Sequence, residues 1–186
     1  MIIATVMLGF SNIAQSNEFE PQIRTFFDNN IKTWLEDPLI INAIKTQNAQ
    51  HTALTATEID TMDKTWRAEA KTGGGTLINA TLSNTLSNFL KTKKSAHQSV
   101  ITEMFIMDNK GLNVGQSDIT SDYMQGDEAK WQKTYGSGNN QLFIDEVEFD
   151  DSTQSFQTQI SATIVDPASG KPIGAITIGL NIENMM

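Results

Sequence analysis

The sequence predicts a single α+β domain, with a helical N-terminal part at 17–95 and a sheet at 96–186. The first observation is periodicity, because apolar residues recur every three or four positions in the first part, as on the inner face of a helix. The second is that the later apolar residues form short continuous or alternating runs, as in strands. The third is size, since 186 residues of which 39% are hydrophobic suit one core.

The helical part is predicted from apolar stripes and end signals. In 18–36 the stripe predicts a first helix, and Asp37-Pro38 then supplies an N-cap and a proline at the first position of a second helix. Residues 55–58 (TATE) form a capping box for a third helix, which the glycines at 73–75 end. A fourth helix is predicted from 76 to about 95. The first stripe consists of Phe19, Ile23, Phe26, Phe27, Ile31, Trp34 and Leu35.

Five segments of the C-terminal part read as strands. The apolar run at 99–108 predicts a central strand, and the turn sequence at 108–111 leads to a second strand at 112–116. Three later strands are predicted at 142–150, 154–166 and 172–182, joined by short polar turns. The connection 117–141 is long and contains one short helix, at about 126–135. A connection of this length in a compact domain usually covers a functional site.

Charge and composition exclude several classes of protein. The chain has 13 Lys and Arg against 22 Asp and Glu, and the C-terminal half carries the whole excess of negative charge. Such a surface repels nucleic acid and anionic lipid. The one basic cluster, Lys91, Lys93 and Lys94, is predicted to be the cationic end of a helix. The absence of cysteine excludes disulfide scaffolds and cysteine-zinc sites.

No catalytic motif is present, so the sequence predicts a protein that is not an enzyme and that needs no cofactor. The two histidines, His51 and His97, lie in polar surroundings and are predicted to be surface residues. Glu146, Glu148 and Asp150 are predicted to form a solvated edge rather than a calcium site, because strand alternation sends neighbouring carboxylates to opposite faces. No metal site is therefore expected.

The segment 121–131 is the densest group of polar and aromatic residues in the chain. A helix starting at Gly126 would present Lys130 and Trp131 together, and an ammonium beside an indole N–H suits a small anion. The alternative is an ordinary amphipathic helix, in which Trp131 packs on the sheet and Lys130 pairs at the surface with Asp127 or Asp122. The residue content alone favours this alternative.

Two of the later strands add candidate residues. Alternation in 142–150 places Phe143, Asp145, Val147 and Phe149 on one face, where the carboxylate of Asp145 needs a partner. In 154–166 the polar residues Ser155, Gln157, Gln159, Ser161 and Thr163 share a face, with Phe156, Ile160, Ala162 and Ile164 on the other. The polar face is either a solvated surface or the floor of a polar pocket.

The first sixteen residues contain an apolar stretch followed by small residues, which predicts a secretory signal or the remnant of a membrane anchor. The alternative is an ordinary buried N-terminal helix. We expect the chain to be exported, which would place 17–186 in the periplasm or another extracytoplasmic space.

Several segments together resemble single Cache domains, also called PDC domains, which are extracytoplasmic PAS-like sensors. The string Asp-Tyr-Met-Gln-Gly-Asp-Glu-Ala-Lys-Trp at 122–131 is the most specific of them. The others are 54–67 with Asp63-Lys64-Thr65-Trp66-Arg67, then 103–108 with 111–114, and the closing segment 170–179. The resemblance covers the chain from about residue 18 to its end.

This resemblance implies a five-stranded antiparallel sheet with a long N-terminal helix on one face and a ligand pocket on the other. Tyr123, Lys130 and Trp131 match the part of the pocket that holds a ligand carboxylate, and Asp145 falls where amine-binding members keep an acid. Many members have arginine at the position of Lys130, so selectivity for planar carboxylates is expected to be looser. The candidate ligand-binding residues are Tyr123, Lys130, Trp131, Asp145, Gln157, Gln159, Asp122 and Gln125.

The first functional hypothesis is a sensory domain for signal transduction or chemotaxis that binds a short monocarboxylate such as acetate, propionate or pyruvate. An amino acid remains open as the ligand, because a charged Asp145 would favour amines. The alternative is an interaction module with a vestigial pocket, whose N-terminal helix pairs with a second copy or with a membrane receptor. Its basis is the wide apolar stripe of the first helix.

Overall fold

The computed structural model describes residues 17–97, 99–138, 142–150 and 154–185. The proposed signal segment 1–16 and the turn at 151–153 lie outside the described residues. The α-helices are α1 (Glu20–Asn30), α2 (Pro38–Gln50), α3 (Ala56–Lys71), α4 (Thr76–Ser83), α5 (Thr85–Ala96) and α6 (Ala129–Gln132). Short 3-10 helices lie at Lys32–Glu36, Tyr135–Ser137 and Glu183–Met185. Within the described residues, no helix is long and apolar enough to cross a bilayer.

Six strands form one antiparallel sheet, so the α+β prediction is confirmed. The strands are β1 (Ile101–Met107), β2 (Asn113–Gln116), β3 (Leu142–Ile144), β4 (Glu148–Asp150), β5 (Ser155–Asp166) and β6 (Lys171–Asn181). Their order is β2-β1-β6-β5-β3, and β4 also pairs with β5. The sheet has six strands rather than five because the predicted strand at 142–150 is divided into β3 and β4.

The division of this strand has a simple cause in its register. Ile144 pairs with Ile160, and Glu148 pairs with Gln157. Between these two pairs the edge strand contains one residue more than β5. One extra residue is the signature of a β-bulge, and it reverses the alternation that follows. Val147 consequently packs against the main core together with Ile144. The predicted common face is therefore wrong for Val147, whereas Asp145 and Phe149 both line one cavity.

The main core lies between one sheet face and the N-terminal helices. Ile23 and Ile31 of the first stripe are fully buried, and Phe27 and Trp34 nearly so. Helix α1 ends at Asn30, earlier than predicted, and Trp34 is delivered by the following 3-10 helix. The strands contribute Met104, Ile106, Val114, Ile160, Ala162, Ile164, Ile176, Ile178 and Leu180.

A second apolar cluster joins α3 to the long connection. Trp66 of α3 is fully buried, packs on the ring of Tyr123 and donates its indole N–H to the carbonyl oxygen of Thr120 at 2.8 Å. The carboxylate of Asp63, one turn earlier, accepts the backbone N–H groups of Tyr123 and Met124. Helix α3 thus holds the first part of the connection 117–141, called the crossover below, against β2.

The predicted fourth helix is two helices, because the chain is extended at Asn84, where ψ is 165°. The Asn84 side chain caps α5 by accepting the N–H of Ser87 at 2.7 Å. The basic cluster lies toward the C-terminal end of α5, as predicted, with Lys93 and Lys94 in its last turn.

Both histidines are half-buried, so their prediction as surface residues is wrong. His51, which follows α2, places Nδ1 2.8 Å from the carboxylate of Asp108. The His97 ring packs against Phe26 and Trp34, with centroids 5.7 and 5.9 Å apart. Their sequence neighbours are polar, but the partners that cover them come from distant parts of the chain.

Candidate ligand-binding site

The sheet face opposite the helices forms the floor of the candidate site. Trp131 and Tyr135 of the crossover pack on this face against the buried side chains of Phe105, Met107 and Ala175. Helix α6 has only four residues, fewer than predicted, because it starts at Ala129 rather than at 126. It covers the middle of the face and leaves the end near Glu103 open.

Glu103, Gly179 and Gln159 lie side by side on β1, β6 and β5. The Nε2 group of Gln159 donates to Oε1 of Glu103 at 2.8 Å, across the glycine that separates them. A Cβ atom on Gly179 would lie 2.5 Å from Oγ1 of Thr102 and 2.8 Å from Cγ of Glu103. The missing side chain at Gly179 is therefore what lets the two outer side chains meet.

Glu103 is a largely buried carboxyl group. Burial raises its pKa above the ordinary value of 4.5, while the hydrogen bond from Gln159 and the positive charge of Lys130 oppose the rise. No ion-pair partner lies within 4 Å of this group among the described residues. Glu103 is thus a buried acid whose charge is balanced only at longer range.

A cavity of about 370 Å³ opens beside this row, where the bulge separates β3 from β4. Of the described residues that line it, none is a lysine or an arginine. The walls combine four acidic side chains with amide and hydroxyl groups. The lining residues are Glu103, Asp145, Glu146, Glu148, Phe149, Gln157, Thr158, Gln159 and Gly179.

Lys130 lies on helix α6, next to this region. Its Nζ lies 5.4 Å from the centroid of the Phe105 ring, two residues from Glu103 on the same face of β1. The same Nζ pairs with Oε2 of Glu128 at 2.9 Å, and the Lys130 side chain is 13% exposed. Lys130 is therefore largely buried, and its partner is neither Asp127 nor Asp122.

Trp131 packs on the sheet face beside the cavity and is not among the residues that line it. Its indole N–H donates to the carbonyl oxygen of Asp108 at 3.1 Å, so this donor is already used within the protein. The ring packs on Tyr135 with a centroid separation of 5.3 Å. The hydrogen bond and the ring contact together fix the orientation of the indole over the sheet.

Three candidates from the same string have other contacts in this structure. Tyr123 is buried against Trp66, and Asp122 pairs with Arg67 at 3.0 Å. The Gln125 side chain, 2% exposed, donates to the carbonyl oxygen of Asp122 at 2.9 Å. These residues hold the crossover in place beside α3, and they do not line the cavity next to Glu103.

Asp145 and the two glutamines do line that cavity. Asp145 sits in the bulge, where its N–H donates to the carbonyl oxygen of Gln159 at 2.9 Å. Its own carbonyl oxygen accepts the hydroxyl of Thr158 at 2.8 Å. The backbone of Asp145 is thereby anchored on β5, and the residue also borders a second cavity of about 490 Å³ near Asn17.

The structure thus divides the eight candidates among three places. Asp145, Gln157 and Gln159 line the cavity, Lys130 and Trp131 lie on helix α6 and outside its lining, and Tyr123, Asp122 and Gln125 anchor the crossover. No cluster of three or more metal-ligating side chains occurs in the part of the chain that the structure describes.

Glu103 was not among the predicted site residues, although its position in the sequence is unusual. It is the only charged residue between 99 and 107, inside the apolar run that predicts β1. A charge in a central strand needs a partner or a ligand. The partner, Gln159, is 56 positions away and could only be identified once the register of β1, β6 and β5 was known.

Solved structures that match this chain include sensor and ligand-binding domains of other proteins. The sensor domain of the V. cholerae histidine kinase DctB matches with 13% identity and a TM-score of 0.46, over 90% of this chain and 56% of that chain. The ligand-binding domain of the Campylobacter jejuni chemoreceptor Tlp3 in complex with L-valine matches with 12% identity and a TM-score of 0.42, over 89% and 64%. The E. coli DcuS sensor domain matches with 14% identity and a TM-score of 0.40, over 68% and 92%.

This chain therefore spans less than two thirds of the length of the DctB and Tlp3 structures. No protein-family model matches the sequence, and no curated protein sequence matches it significantly.

Proposed function

We propose that this domain is an extracytoplasmic sensor module that binds a small metabolite carrying an ammonium group, with an amino acid as the best-fitting class. The observation that carries the proposal is the cavity beside Glu103, which is lined by four carboxyl side chains and by no lysine or arginine. Carboxylates that share one site repel each other unless a positive charge lies between them. A ligand ammonium supplies that charge.

Lys130 can bind the carboxylate at the other end of an amino acid ligand. It lies over Phe105, close enough to Glu103 to affect the pKa of that carboxyl group. A ligand carboxylate can take the place that Glu128 occupies on Nζ, while its ammonium faces Glu103 and Asp145. The site therefore offers opposite charges to the two ends of a zwitterion.

A simple monocarboxylate fits this geometry less well. Acetate, propionate or pyruvate would pair with Lys130, as the sequence suggests, but would leave the acidic wall of the cavity uncompensated. The alternative of an interaction module loses its basis, because the apolar stripe of the first helix packs in the core of this chain. Small-molecule binding remains the better supported function.

The proposal is tested by thermal-shift measurements with L-amino acids, short monocarboxylates and short primary amines. Ligand binding to the folded state alone raises stability by about 2.7 kcal/mol at a hundredfold excess over Kd, which is easily detected. We expect a selective rise with an amino acid. The rise should be lost in Asp145→Asn and kept in Glu183→Gln, whose exposed side chain lies outside the cavity.

Two results would contradict this function. One is an unchanged melting temperature with every compound of the panel. The other is a rise that survives Asp145→Asn and Lys130→Met together, since both ends of the proposed site would then be dispensable.

A further inference from the structure

Glu103 and Gln159 form an isolated acid-amide pair on the floor of the cavity. Nε2 of Gln159 lies 2.8 Å from Oε1 of Glu103, and both side chains line the cavity. Gly179 leaves the space between them empty of other side chains. No second hydrogen bond from either side-chain terminus is made within the described residues.

A glutamine amide that is hydrogen-bonded to a carboxyl group directs one of its two ends, the NH₂ group or the carbonyl oxygen, at the acid. The other end then faces the cavity. When Glu103 is ionised it only accepts, so Gln159 must direct its NH₂ group at the acid and turn its carbonyl oxygen away. When Glu103 carries its proton, its O–H can donate to the amide oxygen, and the NH₂ group then turns away. The two arrangements have nearly the same shape but opposite hydrogen-bonding character.

We propose that the protonation state of Glu103 sets the ligand preference of this cavity by fixing which end of the Gln159 amide faces the ligand. The ionised pair presents an acceptor and a negative charge, which suit an ammonium group. The neutral pair presents a donor and no charge, which suit a carboxylate. This inference rests on the proposed function, because it assumes that a ligand enters this cavity.

The charges around the pair act on Glu103 in both directions. Lys130 of α6 and Lys94 of α5 favour the ionised form of Glu103, whereas Asp118, which pairs with Lys94 at 2.6 Å, opposes it. Asp145, Glu146 and Glu148 add further acid along the cavity wall, and Glu128 partly neutralises Lys130. Burial is the largest effect and raises the pKa of Glu103, which brings its titration closer to neutral pH.

The first test needs no ligand and follows the side-chain amide signals of Gln159 by NMR, identified by their loss in Gln159→Leu. In the wild-type chain we expect these signals to shift with pH in step with the carboxyl carbon of Glu103. The pH response should vanish in Glu103→Gln and persist in the control variant Glu183→Gln, which changes an exposed acid outside the cavity. Gln159 signals that ignore the titration of Glu103, or that still respond in Glu103→Gln, would overturn the inference.

The second test compares two probes of similar size, propionate and propylammonium, by ligand-observed NMR. Raising the pH through the titration of Glu103 should change the ratio of their affinities by about tenfold or more in favour of the ammonium, the effect of one charged hydrogen bond. With the affinity of propionate referred to its ionised form, Glu103→Gln should hold the ratio constant, and a ratio that still changes by this factor in the variant would reject the mechanism. If neither probe binds at any pH, the amide signals alone decide whether the pair switches, and the thermal-shift panel decides the proposed function separately.

Discussion

The indole Nε1 of Trp131 donates to the backbone carbonyl oxygen of Asp108, while the carboxylate of the same Asp108 accepts from Gln47 and His51 at 3.0 and 2.8 Å. Asp108 is fully buried, and its Oδ1 also accepts the N–H groups of Lys110 and Leu112. Asp108, directly after β1, therefore connects helix α6, which carries Trp131, to helix α2. A movement of α6 on ligand binding would reach α2 directly through this residue.

Replacement of Asp108 by alanine should lower the free energy of unfolding by about 3–5 kcal/mol, because several buried donors lose their acceptor at once. Urea denaturation measures this loss. Asp127→Ala changes an exposed acid of the crossover and should remain within about 0.5 kcal/mol of the wild type. Equal stability of the two variants would mean that Asp108 does not anchor α2.

Gly179→Ala should destabilise the domain by about 1–3 kcal/mol, since the new methyl group would collide with Thr102 and Glu103. Thr102 Oγ1 is buried and has no hydrogen-bond partner among the residues that the structure describes, so it can be removed at little cost. The double variant Gly179→Ala with Thr102→Ala should recover part of the loss. A double-mutant cycle by chemical denaturation checks this, and strict additivity would refute the predicted contact.

Glu103→Gln should make the stability of the domain less dependent on pH. Burial raises the pKa of Glu103 above 4.5, so the folded chain binds this proton more tightly than the unfolded chain. The stability that this proton contributes is complete below pH 4.5 and is lost as the pH rises through the folded-state pKa. The variant should lack this decline, which melting temperatures across a pH series would show, and Glu146→Gln should retain it.

Lys130→Met should weaken the binding of carboxylate-bearing ligands by about tenfold or more, the contribution of one charge-assisted contact. Stability should change by less than about 1 kcal/mol, because methionine keeps the apolar contact with Phe105 and the lost pair with Glu128 is partly exposed. Lys133→Met is the matched control, since Lys133 lies on the same segment but is exposed and contacts Phe143. Calorimetric titration of both variants would show whether the two lysines are equivalent.

Much of the fold was predictable because it depends on local signals. The capping box at Thr55 and Glu58 is present, and so is the Asp37 cap with Pro38 at the start of α2. The strands that form the centre of the sheet follow their apolar runs closely. Each of these features is decided by residues within a few positions of each other, where pattern and propensity act directly.

The features that escaped prediction depend on long-range pairing. The bulge at 145–147 follows from the register of β5, and alternation counted along the sequence misassigned Val147 because it could not include the extra residue. Phe156 was predicted to share a face with Ile160, Ala162 and Ile164, which lie in the core, but it is 48% exposed and packs on Phe149 at the sheet edge. The contacts of His51 and Glu103 likewise come from residues more than 50 positions away.

The bulge between β3 and β4 also affects the tendency of this chain to aggregate with copies of itself. A long, flat edge strand invites another chain to add itself to the sheet, which is a route to aggregation. Here the edge beside β5 is cut into two strands of three residues each, with Asp145 and Glu146 in the gap. The interruption that opens the cavity therefore leaves no uninterrupted template at that edge on which a second chain could align.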